Sequence, residues 1–170
     1  MKMQQRLIAV GVVVAVAGCG GSASSDGETS SPGRTTVAVR SIDGVGDALV
    51  DSSGKVLYAA DVEADGKVKC VDACETFWVP LTIASGQPTS SSKDVGQVGV
   101  VARPDGSRQV TADGKLLYTF AEDSVGGVKG IGFEDDFQGR HFTWSAVLAG
   151  GKLASTRGTS SRAYGYGGGG

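Results

Sequence analysis

Two stretches of this chain are copies of one another, and a copied stretch folds the same way twice. Val50-Asp51-Ser52-Ser53-Gly54-Lys55-Val56-Leu57-Tyr58 aligns without a gap on Val110-Thr111-Ala112-Asp113-Gly114-Lys115-Leu116-Leu117-Tyr118. A tryptophan follows each copy, in Trp78-Val79-Pro80-Leu81 and in Trp144-Ser145-Ala146-Val147-Leu148. Self-similarity of this kind marks one supersecondary unit used twice. The unit reads as antiparallel β. In the second copy, residues 98–103 form a strand and Pro104-Asp105-Gly106 a turn, because proline presets φ at the first corner and glycine accepts positive φ. Residues 107–111 run back, Ala112-Asp113-Gly114 turns again, and residues 115–120 return. The first copy mirrors this over 37–41, 47–51 and 55–60. Strand side chains alternate, so Leu116, Tyr118 and Phe120 share one face, as do Val56, Tyr58 and Ala60. Both tyrosines read as core residues whose hydroxyls find hydrogen-bond partners.

Composition agrees. The chain has 28 glycines, 4 prolines and 6% aromatics, and its many valines, serines and threonines favour short strands and tight turns. No stretch sustains an apolar period of 3.6. The expected fold is all-β: two similar antiparallel β-meander repeats, packed as a sandwich or barrel-like domain with little helix.

The ends of the chain read differently. Lys2 and Arg6 precede an apolar run from Leu7 to Ala17, and small residues lead into Cys19. A secretory signal has this anatomy, and the run is shorter than the ~20 residues a membrane span needs. The ending Val16-Ala17-Gly18-Cys19 resembles the lipobox of bacterial lipoproteins. That resemblance implies lipidation of Cys19 as the mature N-terminus and anchoring at the extracytoplasmic face of the cell membrane. The expected organisation is a signal peptide over 1–18 and a lipid-anchored flexible linker over 19–34. The duplicated β domain covers 35–153, with repeats over about 36–85 and 97–150, and a Gly/Ser-rich disordered tail fills 154–170. Removing residues 1–18 takes away two positive charges and moves the net charge from −2 to −4. Charge and compartment together exclude nucleic acid as a partner. The expected partners are the membrane, through the lipid, and a protein or small-molecule ligand.

Residues 114–123, Gly-Lys-Leu-Leu-Tyr-Thr-Phe-Ala-Glu-Asp, contain a Tyr-x-Phe-x-x-Asp string. With the Asp-Gly turn, the Cys70-x₃-Cys74-x₃-Trp78 string and the lipobox, the chain resembles the secreted-repeat lipoproteins. These are predicted lipoproteins with a Tyr-x-(Phe/Trp/Tyr)-x-x-Asp motif. The resemblance runs from about Asp47 to Leu148. It implies a fold and a location, and no activity. Its motif maps onto Tyr118, Phe120 and Asp123. In the first copy Tyr58 is present, but Ala60 stands at the aromatic position and Glu63 at the aspartate position. After Trp78 the family tends to have two prolines, and here Val79-Pro80 keeps one. Asp123 is expected to be the exposed, polar end of the motif.

Three groupings could carry chemistry. An exported protein meets oxidising conditions, so Cys70 and Cys74 should pair as a structural disulfide. With His141, the only histidine, the same two cysteines also resemble the ligand set of exported copper-delivery proteins, since soft thiolates select Cu(I). That is the alternative reading, a metal-handling or electron-transfer accessory. Residues 61–72 place Asp61, Glu63, Asp65 and Asp72 at the spacing of a calcium loop with Gly66 at its turn. Asp72 in place of a bidentate Glu, and Lys67 and Lys69 beside it, count against that loop. Glu134-Asp135-Asp136 near His141 reads as a solvated acidic loop or part of a weak cation site. No phosphate-binding loop, nucleophile elbow or zincin helix is present, and no cofactor is firmly implied. The chain therefore reads as a non-catalytic binding or scaffold module.

Overall fold

The computed structural model describes residues 36–156. Cys19, the signal and linker segments before residue 36, and the tail beyond residue 156 lie outside the described residues. Eleven strands follow one another: β1 (Val37–Ile42), β2 (Gly46–Asp51), β3 (Tyr58–Ala60), β4 (Trp78–Pro80), β5 (Val98–Ala102), β6 (Arg108–Ala112), β7 (Lys115–Leu116), β8 (Tyr118–Phe120), β9 (Glu134–Phe137), β10 (Arg140–Val147) and β11 (Leu153–Ala154). Short 3-10 turns at Asp61–Glu63, Asp72–Thr76, Lys93–Val95 and Ala149–Gly151 are the only helical elements among the described residues. The fold is all-β and every strand pairing is antiparallel.

The duplication is visible in the hairpins. β1 pairs with β2, as β5 pairs with β6. Asp113 and Gly114 both take positive φ, 48° and 77°. A two-residue hairpin turn that follows the right-handed twist of its strands needs this geometry, and it brings β7 back against β6.

The expected long return strands are broken. Residues 115–120 divide into β7 and β8 around Leu117, and in the first copy only β3 forms beyond Val56, which makes a single bridge to Val50. At each break the leucine amide still bonds back to its own hairpin: Leu57 N–H to the Leu49 carbonyl at 2.9 Å, Leu117 N–H to the Val110 carbonyl at 3.1 Å. The chain then leaves the hairpin and enters a central sheet of order β11-β10-β3-β8-β4, with β9 folded onto β10.

In that sheet the repeats exchange strands. β3 and β8 meet at Tyr58 and Tyr118. β4 of the first copy then pairs with β8 of the second, while β10 of the second pairs with β3 of the first. The registers match position for position: Trp78 faces Phe120 as Trp144 faces Ala60, and Pro80 faces Tyr118 as Ala146 faces Tyr58. Pro80 is tolerated because β4 is the edge of the sheet, where a missing N–H leaves no ladder bond unmade. Both copies fall within one compact unit.

Two cores result, because both faces of the central strands are buried. Val56, Tyr58, Ala60, Leu116, Tyr118 and Phe120 share one core with Trp78, Phe142 and Trp144. This is the predicted inner face. The intervening Leu57, Ala59 and Leu117 enter a second core with Val37, Leu49, Val110 and Val147. Full burial of one leucine contributes roughly 1.5–3 kcal/mol, so neither face is a solvent face.

Candidate functional site

The motif residues lie where the two copies cross. The Tyr58 hydroxyl donates to Asp123 Oδ2 at 2.5 Å, and the Tyr118 hydroxyl donates to Glu63 Oε1 at 3.0 Å. Each copy's tyrosine thus bonds the other copy's acid. Asp123 is 4% exposed and also accepts the Lys129 N–H at 2.8 Å. Its expected exposure is corrected: a carboxylate with this much burial is held by donors from both copies, and its polarity is turned inward. Tyr58, Tyr118, Phe120, Trp78 and Trp144 are all core residues, as expected.

Glu63 is deeper still, at 2% exposure. Its Oε1 accepts the amides of Lys69 at 2.6 Å and Cys70 at 2.8 Å besides the Tyr118 hydroxyl. Its Oε2 is buried with no hydrogen-bond partner, as is Arg103 Nε. The Arg103 side chain is otherwise tied down: it donates to Gln109 Oε1, to Glu75 Oε1, to the Cys70 carbonyl at 2.7 Å and to the Tyr118 hydroxyl at 3.4 Å. Burial works against its charge, but the bonds and charges of Tyr118 and Glu75 outweigh it and hold its pKa above the usual value. Burial first, and then the charge of Glu63, push the Tyr118 phenol well above the ordinary tyrosine range.

The tryptophans that follow the two copies stack on each other with ring centroids 3.8 Å apart and planes 8° off parallel. Asp135 accepts both indole N–H groups, from Trp78 at 2.8 Å and from Trp144 at 3.1 Å. The middle residue of the acidic run therefore pins the aromatic pair. Sequence reading missed this role; the only signal was an acid on the hairpin that leads into the second tryptophan.

Cys70 and Cys74 form a disulfide with Cα atoms 5.3 Å apart. Both sulfurs are bonded to each other, so neither is a thiolate available to copper, which removes the basis of the copper set. His141 pairs instead with Asp136 at 3.2 Å on the exposed β9–β10 hairpin. The calcium spacing does not assemble either. Asp61 Oδ1 accepts the amides of Val62 at 2.7 Å and Thr143 at 2.9 Å. Asp65 meets the Lys69 ammonium at 3.0 Å, and that bond, before the lesser ones, lowers its pKa. Asp72 accepts from the Gln138 amide at 2.8 Å. Glu63 is committed to the crossed network. Among the described residues no three histidines, cysteines or acids are grouped to hold a metal ion.

What residues 61–66 form is one wall of a cleft. Its volume is about 330 Å³, the lower end of the range that holds a small ligand. Its floor is β3, with Ala59 and Ala60; the opposite wall is the Asp113–Leu116 turn, and Leu153 of β11 stands at its rim. Ala60 is one of the residues that line it. In the second copy Phe120 occupies the equivalent position and stacks on Trp78 at 4.5 Å. In the first copy Trp144 faces a methyl group, and Phe142 stacks on that indole, 5.8 Å away and 7° off parallel. Glu63 also lines the cleft, while its unpartnered Oε2 is buried from solvent.

Among the described residues no helix is long and apolar enough to cross a membrane. No curated protein and no solved structure matches the chain. Residues 99–140, a stretch that contains Tyr118, Phe120 and Asp123, match a protein-family model described as a secreted repeat of unknown function.

Proposed function

We propose that this chain is an extracytoplasmic binding module, held at the membrane surface by a lipid on Cys19, which takes a small ligand in the cleft beside Ala60. The observation that carries the binding reading is the cleft itself, about 330 Å³, lined by Ala59, Ala60 and Leu116 beside the Asp113 turn. The surrounding residues offer no nucleophile with a base to activate it, so the arrangement suits binding over turnover. The location rests on the anatomy of residues 1–19 and agrees with the match to a secreted repeat.

Two experiments test the two halves of this reading. Cys19→Ser is expected to release the protein from membranes into the medium or to leave the signal uncleaved. Mass spectrometry should find a diacylglyceryl-modified cysteine as the first residue of the wild-type protein, and an unmodified N-terminus at another position would refute the anchor. For the cleft, a fragment library is screened by methyl NMR. Hits are expected to shift the Ala60, Ala64 and Leu116 methyls in the wild type and not in Ala60→Phe, which puts a ring where the cleft is lined by a methyl group. A library whose hits cluster elsewhere refutes the site.

A further inference from the structure

We propose that the cleft is closed in cis by the chain's own segment 157–166, so that a ligand binds only when this segment leaves. The proposal rests on the reading of the cleft as the binding site and names its regulation. Position comes first. Leu153 of β11 stands at the cleft's rim, and the described residues end three positions later, at Thr156. The Ser155 hydroxyl meets the Ser145 hydroxyl at 2.9 Å. Ser145 of β10 in turn pairs with Ala59 of β3, in the floor of the cleft. Neighbouring strands lie ~4.8 Å apart, so Ser155 is two strand spacings, ~10 Å, from that floor. An extended residue spans up to ~3.5 Å, which gives Arg157 a reach of ~7 Å from Ser155 and Tyr164 a reach of ~30 Å.

Charge then selects this segment over the other one outside the described residues. Asp61, Asp65 and Asp113 are the exposed carboxylates of the lining, against a single basic residue, Lys115. Glu63 is buried and takes no part. Asp65 already holds Lys69, which leaves Asp61 and Asp113 on opposite walls. Segment 157–166 carries Arg157 and Arg162 and no acid, whereas residues 19–35 carry Asp26 and Glu28 against Arg34. The cleft draws in the first and repels the second. An arginine fork grips a carboxylate with two donors. Tyr164 and Tyr166 bring rings with an apolar body and a polar tip, and Ala59, Ala60 and Leu116 offer them an apolar floor. Exposed ion pairs are weak by themselves. Tethering offsets this: a short link holds the segment at millimolar effective concentration, so a contact of ~0.1–1 mM closes the cleft roughly half to nine-tenths of the time.

The test compares the full chain with its double variant Arg157→Glu/Arg162→Glu by methyl NMR. The variant should melt as the wild type does. Charge reversal is expected to shift the Ala60, Ala64 and Leu116 methyls, and high salt should move the wild-type methyls the same way. Fragments found in the cleft screen should bind the variant about two- to tenfold tighter, because the open form is then fully populated. Unmoved cleft methyls, with fragments bound equally by both proteins, overturn the closure and leave the cleft standing as a site. Fragments that miss the cleft in both proteins overturn the binding reading on which the proposal rests. Shifts that grow with protein concentration assign the segment to a second copy and overturn closure within one chain.

Discussion

Tyr118 is held by three contacts from two residues, since its hydroxyl touches Glu63 and Arg103 and its ring lies under the guanidinium, 6.0 Å from Arg103 Cζ. Removing that hydroxyl takes a donor from a carboxylate already short of one. Tyr118→Phe should therefore cost about 1–3 kcal/mol at pH 8. The cost should depend on pH in a defined direction. In the folded protein the phenol keeps its proton above the ordinary range, whereas the unfolded chain loses it near pH ~10. Stability from this group is thus present below pH ~10 and is lost as pH rises beyond it, by up to ~1.4 kcal/mol per unit. Urea titrations of wild type and Tyr118→Phe from pH 8 to 11 should show the gap between them narrowing above pH 10. A gap that stays constant contradicts the raised phenol.

At the scale of strands, Phe120 shows what the motif's aromatic does. It fills the register place opposite Trp78 and stacks on it. Phe120→Ala should cost about 3–5 kcal/mol by thermal or chemical denaturation, because the cavity it leaves lies inside a pinned aromatic stack. An unchanged melting temperature would make the ring a ligand platform instead of a packing element. The strands themselves were legible because alternation and Asp-Gly turns are local signals: β1, β2, β5 and β6 lie close to their expected bounds. The breaks at Leu57 and Leu117 were not, since an apolar residue on the supposed outer face reveals a second core only once its neighbours are known. Of the site, Glu63 and Ala60 were visible in the sequence as departures from the motif. The cleft they form was hidden, because it depends on which strand Ala60 faces. Asp123 was misjudged for the same reason: its partner, Tyr58, belongs to the other copy.

At the scale of the molecule, the repeats are not neighbours but halves of one sheet. β3 borrows β10, and β8 borrows β4. Residues 36–96 alone would expose β3 and β4 without the strands that pair with them, and short unpaired strands are not stable in water. Each half expressed separately, 36–96 and 97–156, should give a disordered circular dichroism spectrum, and an equimolar mixture should regain a cooperative melt. A cooperative melt from either half alone would show that the exchange is dispensable. The crossed arrangement also bears on where chemistry can reside. Two identical subunits joined in this way would obey a two-fold axis, and any residue change would appear at both related places. They could offer two open clefts or none. With the copies joined in one polypeptide, that obligation lapses: position 120 keeps its ring and braces the indole stack, while position 60 gives its ring up. Covalent linkage thus permits broken symmetry, so that one half of the scaffold keeps a packed ring where the other keeps a methyl group at an open cleft.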